Sequence, residues 1–343
     1  MSPWRSAIVQ GGVLVVALGL AWQTWTREKA APKMDSGVKL WEARAADVSL
    51  IEYTSEKRYA RVERKLDAGT SYLWVTVDRE KGTMGKVQPP PGQEPEHSSK
   101  SFVGGKSADK LFEQLAAPAA ARALGKPDAA RLKDLGLAES QDLLAVTVAG
   151  KRRELRLGSK VYGGSERYAL DVRSGEGFVL AGTALRDLEI GETSLMQREL
   201  HGFDSGEVKA ALVTAGPKTR EIVRLAGSAK ADEWADAATP DRKDEAVGSW
   251  MSKAGQLRAL EYVADEASLQ TPTTVSGLPE DVLRMELRGE GGKALGYLEL
   301  SRIAGEKDKP EYLARTETTR VLVKVGQRVG EQLEQDLPAL LGE

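Results

Sequence analysis

The chain has 343 residues, room for about two domains of about 100–200 residues each. Its 49 Lys and Arg against 51 Asp and Glu give a formal net charge of -2, which excludes a broadly basic nucleic-acid binder. The absence of cysteine excludes disulfides, thiolate metal sites, a cysteine nucleophile and a lipid-modified cysteine anchor.

The first element is an uncharged stretch, Ser6 to Thr26, with the apolar run Ala7–Trp22 inside it. Arg5 closes one side, and Arg27 and Lys29 close the other. Trp4, Trp22 and Trp25 stand at the edges, where indole rings favour the lipid–water boundary. As a helix, Trp4 to Trp25 spans about 33 Å at about 1.5 Å per residue, against a hydrocarbon core of about 30 Å. Residues 7–25 are therefore predicted to be a retained transmembrane anchor after a short cytoplasmic N-terminus (1–6). A cleaved signal peptide is the rival, with Gly19-Leu20-Ala21 as a weak cleavage site. The brief N-terminus favours an inner-membrane, single-pass layout with an extracytoplasmic or periplasmic body. The positive charge after the segment argues the other way. Residues 26–38 read as a linker.

After the linker the chain repeats an order of elements, which predicts an α+β body of two similar strand–helix–hairpin units, residues 39–192 and 193–343. The first opens with strand-like segments around Val48–Tyr53, Tyr59–Lys65 and Tyr72–Val77, the last carrying Trp74. The second opens around Val208–Val213 and Glu221–Leu225, followed by Trp234, and the similar spacing makes Trp74 and Trp234 candidates for equivalent core positions. Gln88–Ser101, rich in Pro, Gly, Ser and charge, reads as a loop inserted into the first unit. A helix follows in each unit. Leu111, Phe112, Leu115 and Ala119 share a face in the first, with Pro118 set to break it. Val247, Trp250, Met251, Ala254, Leu257 and Leu260 recur at helical spacing in the second. The pairs Gly136-Leu137 and Gly277-Leu278 then introduce hairpins. Leu144, Val146 and Val148 alternate in one, turning at Gly150-Lys151, and Leu283, Met285 and Leu287 alternate in the other. Each unit closes with a strand pair and a helical tail.

This order resembles the bacterial membrane-anchored family catalogued as domain of unknown function 4340. The residues that carry the resemblance are Lys133-Asp134-Leu135-Gly136-Leu137, Leu155-Arg156-Leu157-Gly158, Tyr168-Ala169-Leu170 and Leu185-Arg186-Asp187-Leu188. Looser matches follow at Gly277-Leu278-Pro279 and Tyr312-Leu313-Ala314-Arg315. Members are often encoded beside ABC transporters of the gliding-motility kind. The resemblance therefore implies an accessory role at such a transporter, and it supplies no catalytic residues.

Chemical motifs are weak. Gly104-Gly105-Lys106-Ser107 lacks the earlier glycine and the leading strand of a phosphate loop. Ser107-Ala108-Asp109-Lys110 has the spacing of a serine–lysine acyl-transfer pair without its supporting motifs. Glu176, Asp187, Glu189 and Glu192 cluster in sequence, but a glycosidase needs two carboxylates about 5–10 Å apart across a cleft. His97 and His201 lie in polar segments and read as surface residues, so no metal and no cofactor is expected. The expectation is a non-catalytic, membrane-tethered interaction protein of an ABC-type transporter or a cell-envelope assembly. The alternatives are a glycan- or peptidoglycan-binding module and a carboxylate-based hydrolase.

Overall fold

Period-two segments of buried and less buried side chains recur from Val48 onward, as in β2 and β15, and such segments pair into two antiparallel sheets. The structure is a computed structural model that describes residues 37–67, 69–80, 97–226, 233–263, 279–305 and 309–342. The first sheet contains β1 (Val38–Lys39), β2 (Val48–Ser55), β3 (Arg58–Asp67), β4 (Thr70–Glu80), β5 (His97–Val103), β6 (Ala119–Gly125), β7 (Leu143–Val148), β8 (Lys151–Lys160), β9 (Arg167–Asp171) and β10 (Gly177–Leu180). The second contains β11 (Ala210–Ala215), β12 (Lys218–Arg224), β13 (Trp234–Asp236), β14 (Glu261–Tyr262), β15 (Glu280–Arg288), β16 (Ala294–Ala304), β17 (Pro310–Thr316) and β18 (Val323–Lys324). Helices α1 (Lys106–Ala116), α2 (Ala129–Asp134), α3 (Gly182–Ile190) and α4 (Glu192–Leu195) belong to the first unit, and α5 (Glu245–Ala254) and α6 (Gln327–Leu340) to the second.

The α+β expectation is corrected. Among the described residues 46% are strand and 24% helical, so the body is mostly β. The reason lies in the lengths of the apolar patterns. Period-two runs such as β3 and β4 in the first sheet and β16 in the second reach ten or eleven residues and build two continuous antiparallel sheets, whereas the helices are short covers on a sheet face. No helix among the described residues is long and apolar enough to cross a membrane. The proposed anchor at 7–25, with Trp4, Trp22 and Trp25, lies outside the described residues.

Strand order runs β1-β6-β10-β9-β8-β7-β2-β3-β4-β5 in the first sheet. In the second it runs β13-β12-β11-β15-β16-β17-β18-β14. Read from the opposite end, the second order reproduces the β6-to-β4 stretch of the first strand by strand. Each unit enters its sheet through a 3-10 turn, Ala45–Asp47 or Ser205–Glu207. Each turn is tied by a backbone N–H donating to the acidic side chain at its end, Arg44 to Asp47 and Asp204 to Glu207. The cores are separate: Ile51, Val62, Phe102, Phe112 and Leu157 belong to one, and Ala211, Ile222, Trp250, Leu300 and Leu333 to the other.

Three local expectations also change. His97–Ser101 is not part of a loop, because β5 pairs with β4 from Glu80↔His97 to Trp74↔Val103. The second-unit helix stops at Ala254, where Gly255 caps it; Leu257 is buried without being helical and Leu260 is exposed. The β7–β8 turn is Ala149-Gly150 rather than Gly150-Lys151. Both residues have positive φ (47° and 74°), as a two-residue turn matching strand twist requires.

Candidate functional site

Matching hydrogen bonds align the two units residue by residue. Arg64 on β3 donates through Nε to Val48 O (3.2 Å) and through Nη2 to Ala45 O (3.0 Å). Arg224 on β12 makes the same two bonds, to Val208 O (2.8 Å) and Ser205 O (2.5 Å). The segment ahead of each turn pairs antiparallel with the chain that follows the next helix, Lys39↔Ala119 in one unit and Glu199↔Arg258 in the other. This alignment places His201 where the first unit has Trp41, Met251 where it has Phe112, and Ala254 where it has Leu115.

All three changes remove volume from one place. In the first unit Trp41 is buried, its indole N–H donates to Leu115 O at the end of α1 (2.9 Å), and Arg153 lies over its ring. Arg64 covers Phe112 at 4.9 Å. In the second unit a cavity of about 760 Å³ opens between α5 and the loop before the 3-10 turn. That size lies within the range of about 300–1,000 Å³ typical of ligand pockets. Its lining mixes apolar side chains (Leu200, Val208, Trp234, Met251, Leu257, Met285 and Leu287) with polar and charged ones (Lys106, Glu199, His201, Asp204, Ser205, Arg224, Ser252, Gln256 and Arg258). The change from Leu73 to Trp234 works in the opposite direction, but Arg224 holds that indole by stacking at 4.8 Å.

His201 is fixed on one wall. Its Nδ1 lies 3.1 Å from Glu317 Oε1, and its ring stacks on Phe203 at 4.9 Å. Glu317 also accepts from Tyr297 N–H (3.0 Å) and the Thr318 hydroxyl (3.2 Å). Burial pushes the Glu317 carboxyl up, but the His201 bond and charge, with the backbone donors, hold it below the usual glutamate range. His201, expected at the surface, is half-buried, because Glu317, the residue that follows β17, holds its ring. The cationic side of the cavity is Arg258, whose Nη1 donates to Gly255 O (2.9 Å) and Leu257 O (2.7 Å), and which has no carboxylate partner among the described residues. Lys106 pairs with Glu199 at 3.2 Å.

The other residues singled out from sequence fall elsewhere. Trp74 and Trp234 lie on equivalent strands but one position out of register: Arg64 pairs with Leu73, whereas Arg224 pairs with Trp234. One step along a strand reverses the face, so Trp234 joins the second core while Trp74 packs with Val103 and Val321 between the units. Gly136 has φ 67°, and a Cβ there would collide with Ser159 Oγ; Leu137 beside it is fully buried. Both are structural. Gly277 and Leu278 lie outside the described residues. Gly105 caps α1, and Ser107–Lys110 lie within its first two turns. Among the described residues no three His, Asp or Glu side chains converge as a metal site. Sequence reasoning missed Met251 and Ala254 as site residues because each fits a helix face on its own. Their meaning lies in the comparison with Phe112 and Leu115. Comparison with known protein families, with curated proteins and with solved structures returns no match.

Proposed function

We propose that this protein is a non-catalytic binding protein, held at the inner membrane by its uncharged N-terminal segment, that serves as an accessory of an ABC-type transporter or a related cell-envelope assembly. Its recognition element is the second-unit cavity. The observation that carries this reading is the divergence of two units built on one strand order: the first fills its helix–sheet junction with Trp41, Phe112 and Leu115, and the second leaves it open. A concave site that combines apolar side chains with convergent polar groups has a form that binding pockets take. The transporter assignment rests on the resemblance stated above. The membrane assignment rests on the uncharged, Trp-edged run at residues 7–25. Tethering confines both partners to one plane, so a weak contact suffices for association.

The test is co-purification of the full chain from membranes in mild detergent. Transporter subunits are expected in the eluate, and removal of residues 1–30 should weaken their recovery. Recovery of the chain without any membrane partner would overturn the reading. Turnover of an envelope glycan by the chain, abolished by changing one carboxylate, would replace it with the hydrolase alternative.

A further inference from the structure

The first unit supplies a template for what enters the second-unit cavity. There the occupant of the equivalent space is an indole. Trp41 spans from Arg153 on β8 to the end of α1, and its N–H caps the Leu115 carbonyl. The residue aligned with Arg153 is Gly296, because Val146 pairs with Arg153 and the aligned Leu287 pairs with Gly296. A Cβ at Gly296 would collide with Glu317, whose carboxylate fills that end and bonds His201. The imidazole of His201, the counterpart of Trp41, is held to Glu317 and is smaller than the indole it replaces. The cavity beside His201 is lined on the α5 side by Met251, Ala254 and Gly255. Ala254 O, the counterpart of Leu115 O, accepts one hydrogen bond, from Leu257 N–H (3.2 Å), and retains a second lone pair.

We infer that the second-unit cavity receives a large aromatic side chain, of the indole class, from a polypeptide partner. The chemistry fits on three counts. Met251 and Met285 offer polarizable thioethers to a ring, an adaptable contact that favours aromatic guests. The Ala254 carbonyl can accept from the indole N–H as Leu115 O does. Arg258, which bonds only carbonyls among the described residues, stands at the wall, where it can meet a carbonyl or carboxylate of the incoming chain. Large aromatic side chains inserted into preformed pockets supply a disproportionate share of interface energy. This inference rests on the binding reading above and adds the identity of the anchor.

The probe is N-acetyl-5-fluorotryptophanamide, followed by fluorine NMR with the full chain in non-ionic detergent. Saturable line broadening is expected, reversed by unlabelled N-acetyltryptophanamide and not by N-acetylleucinamide. The double variant Met251→Phe, Ala254→Leu carries the first unit's residues and should weaken probe binding at least about tenfold while its unfolding midpoint stays at or above that of the parent. If that variant does not fold, His201→Trp provides a second way to fill the space and should weaken binding similarly. Absence of saturable binding, equal binding by the folded filled variant, or equal displacement by the leucine compound overturns the inference. Co-purification of membrane partners that survives such a result would leave the broader function standing and remove only the aromatic anchor. Loss of that co-purification from the unaltered chain would remove the broader reading instead.

Discussion

Arg64 and Arg224 show how one residue can fix the start of a sheet. Each reaches from its strand, β3 or β12, to two carbonyls of the entering turn and ties that turn to the sheet. Each then lends its guanidinium face to an aromatic ring, Phe112 in one unit and Trp234 in the other. Glu317 has a comparable organising part in the second unit, and its charge makes the effect testable. The folded-state pKa is depressed, so its stabilising contribution is complete above the unfolded value of about 4.3 and is lost as pH falls through the folded value. Urea unfolding of the parent and of Glu317→Gln should therefore differ most at pH 6–7, with the gap closing as the pH drops toward about 3. A gap that stays constant over that range would mean that the carboxylate acts by shape and not by charge.

At the scale of elements, α5 and α6 lock the second core. Trp250 is buried, and its indole N–H donates to Leu333 O on α6 at 3.1 Å. Trp250→Ala should cost about 3–5 kcal/mol, as large-to-small aromatic core changes do. Trp250→Phe keeps most of the packing and should lose a smaller amount, since a net hydrogen bond is worth about 1 kcal/mol. Chemical denaturation would check both, and an unchanged midpoint in the alanine variant would remove Trp250 from the core. The apolar spacing around Trp250 was legible in the sequence, as were the alternating runs at Leu144–Val148 and Leu283–Leu287. These are local periodicities, and burial on one face writes them directly into the chain. The dominance of the sheets was less legible, because strand pairing is a long-range property. The one-residue offset between Trp74 and Trp234 is hidden from the sequence for a related reason: register across a ladder is not a count along the chain. The cavity was the least legible feature. It is a difference of volume among His201, Met251 and Ala254 that becomes visible only once Trp41, Phe112 and Leu115 are known to be their counterparts.

At the scale of the whole molecule, the two units are joined by a segment bonded on both sides. Met196 bridges to Gly104, and Gln197 N–H donates to Val103 O (2.9 Å) on the first unit. Two residues later Glu199 bridges to Arg258, and Ala259 N–H donates to Arg198 O (2.9 Å) on the second. Tyr262 on β14 stands at the junction. It packs against both cores and against the Trp74 cluster, its ring lies 6.2 Å from Phe102, and its hydroxyl donates to Gln197 O at 3.1 Å. Burial pushes its phenol well above the ordinary range, so it remains a neutral donor at any working pH. Polar ties surround it: Lys100 to Glu261 at 3.5 Å, and Arg320 to Asp67 at 2.7 Å with its guanidinium over Tyr72. Exposed ion pairs of this kind contribute little each, so the apolar contact of Tyr262 should carry most of the coupling. Scanning calorimetry of the parent is then expected to show one cooperative transition, and Tyr262→Ala should split it into two, because each unit keeps its own core. Tyr262→Phe retains the ring and should keep the single transition at a slightly lower temperature. A single transition in the alanine variant would show that the doubly bonded segment at 196–200 couples the units without the ring. Two transitions in the parent would show that the units fold independently despite their contact.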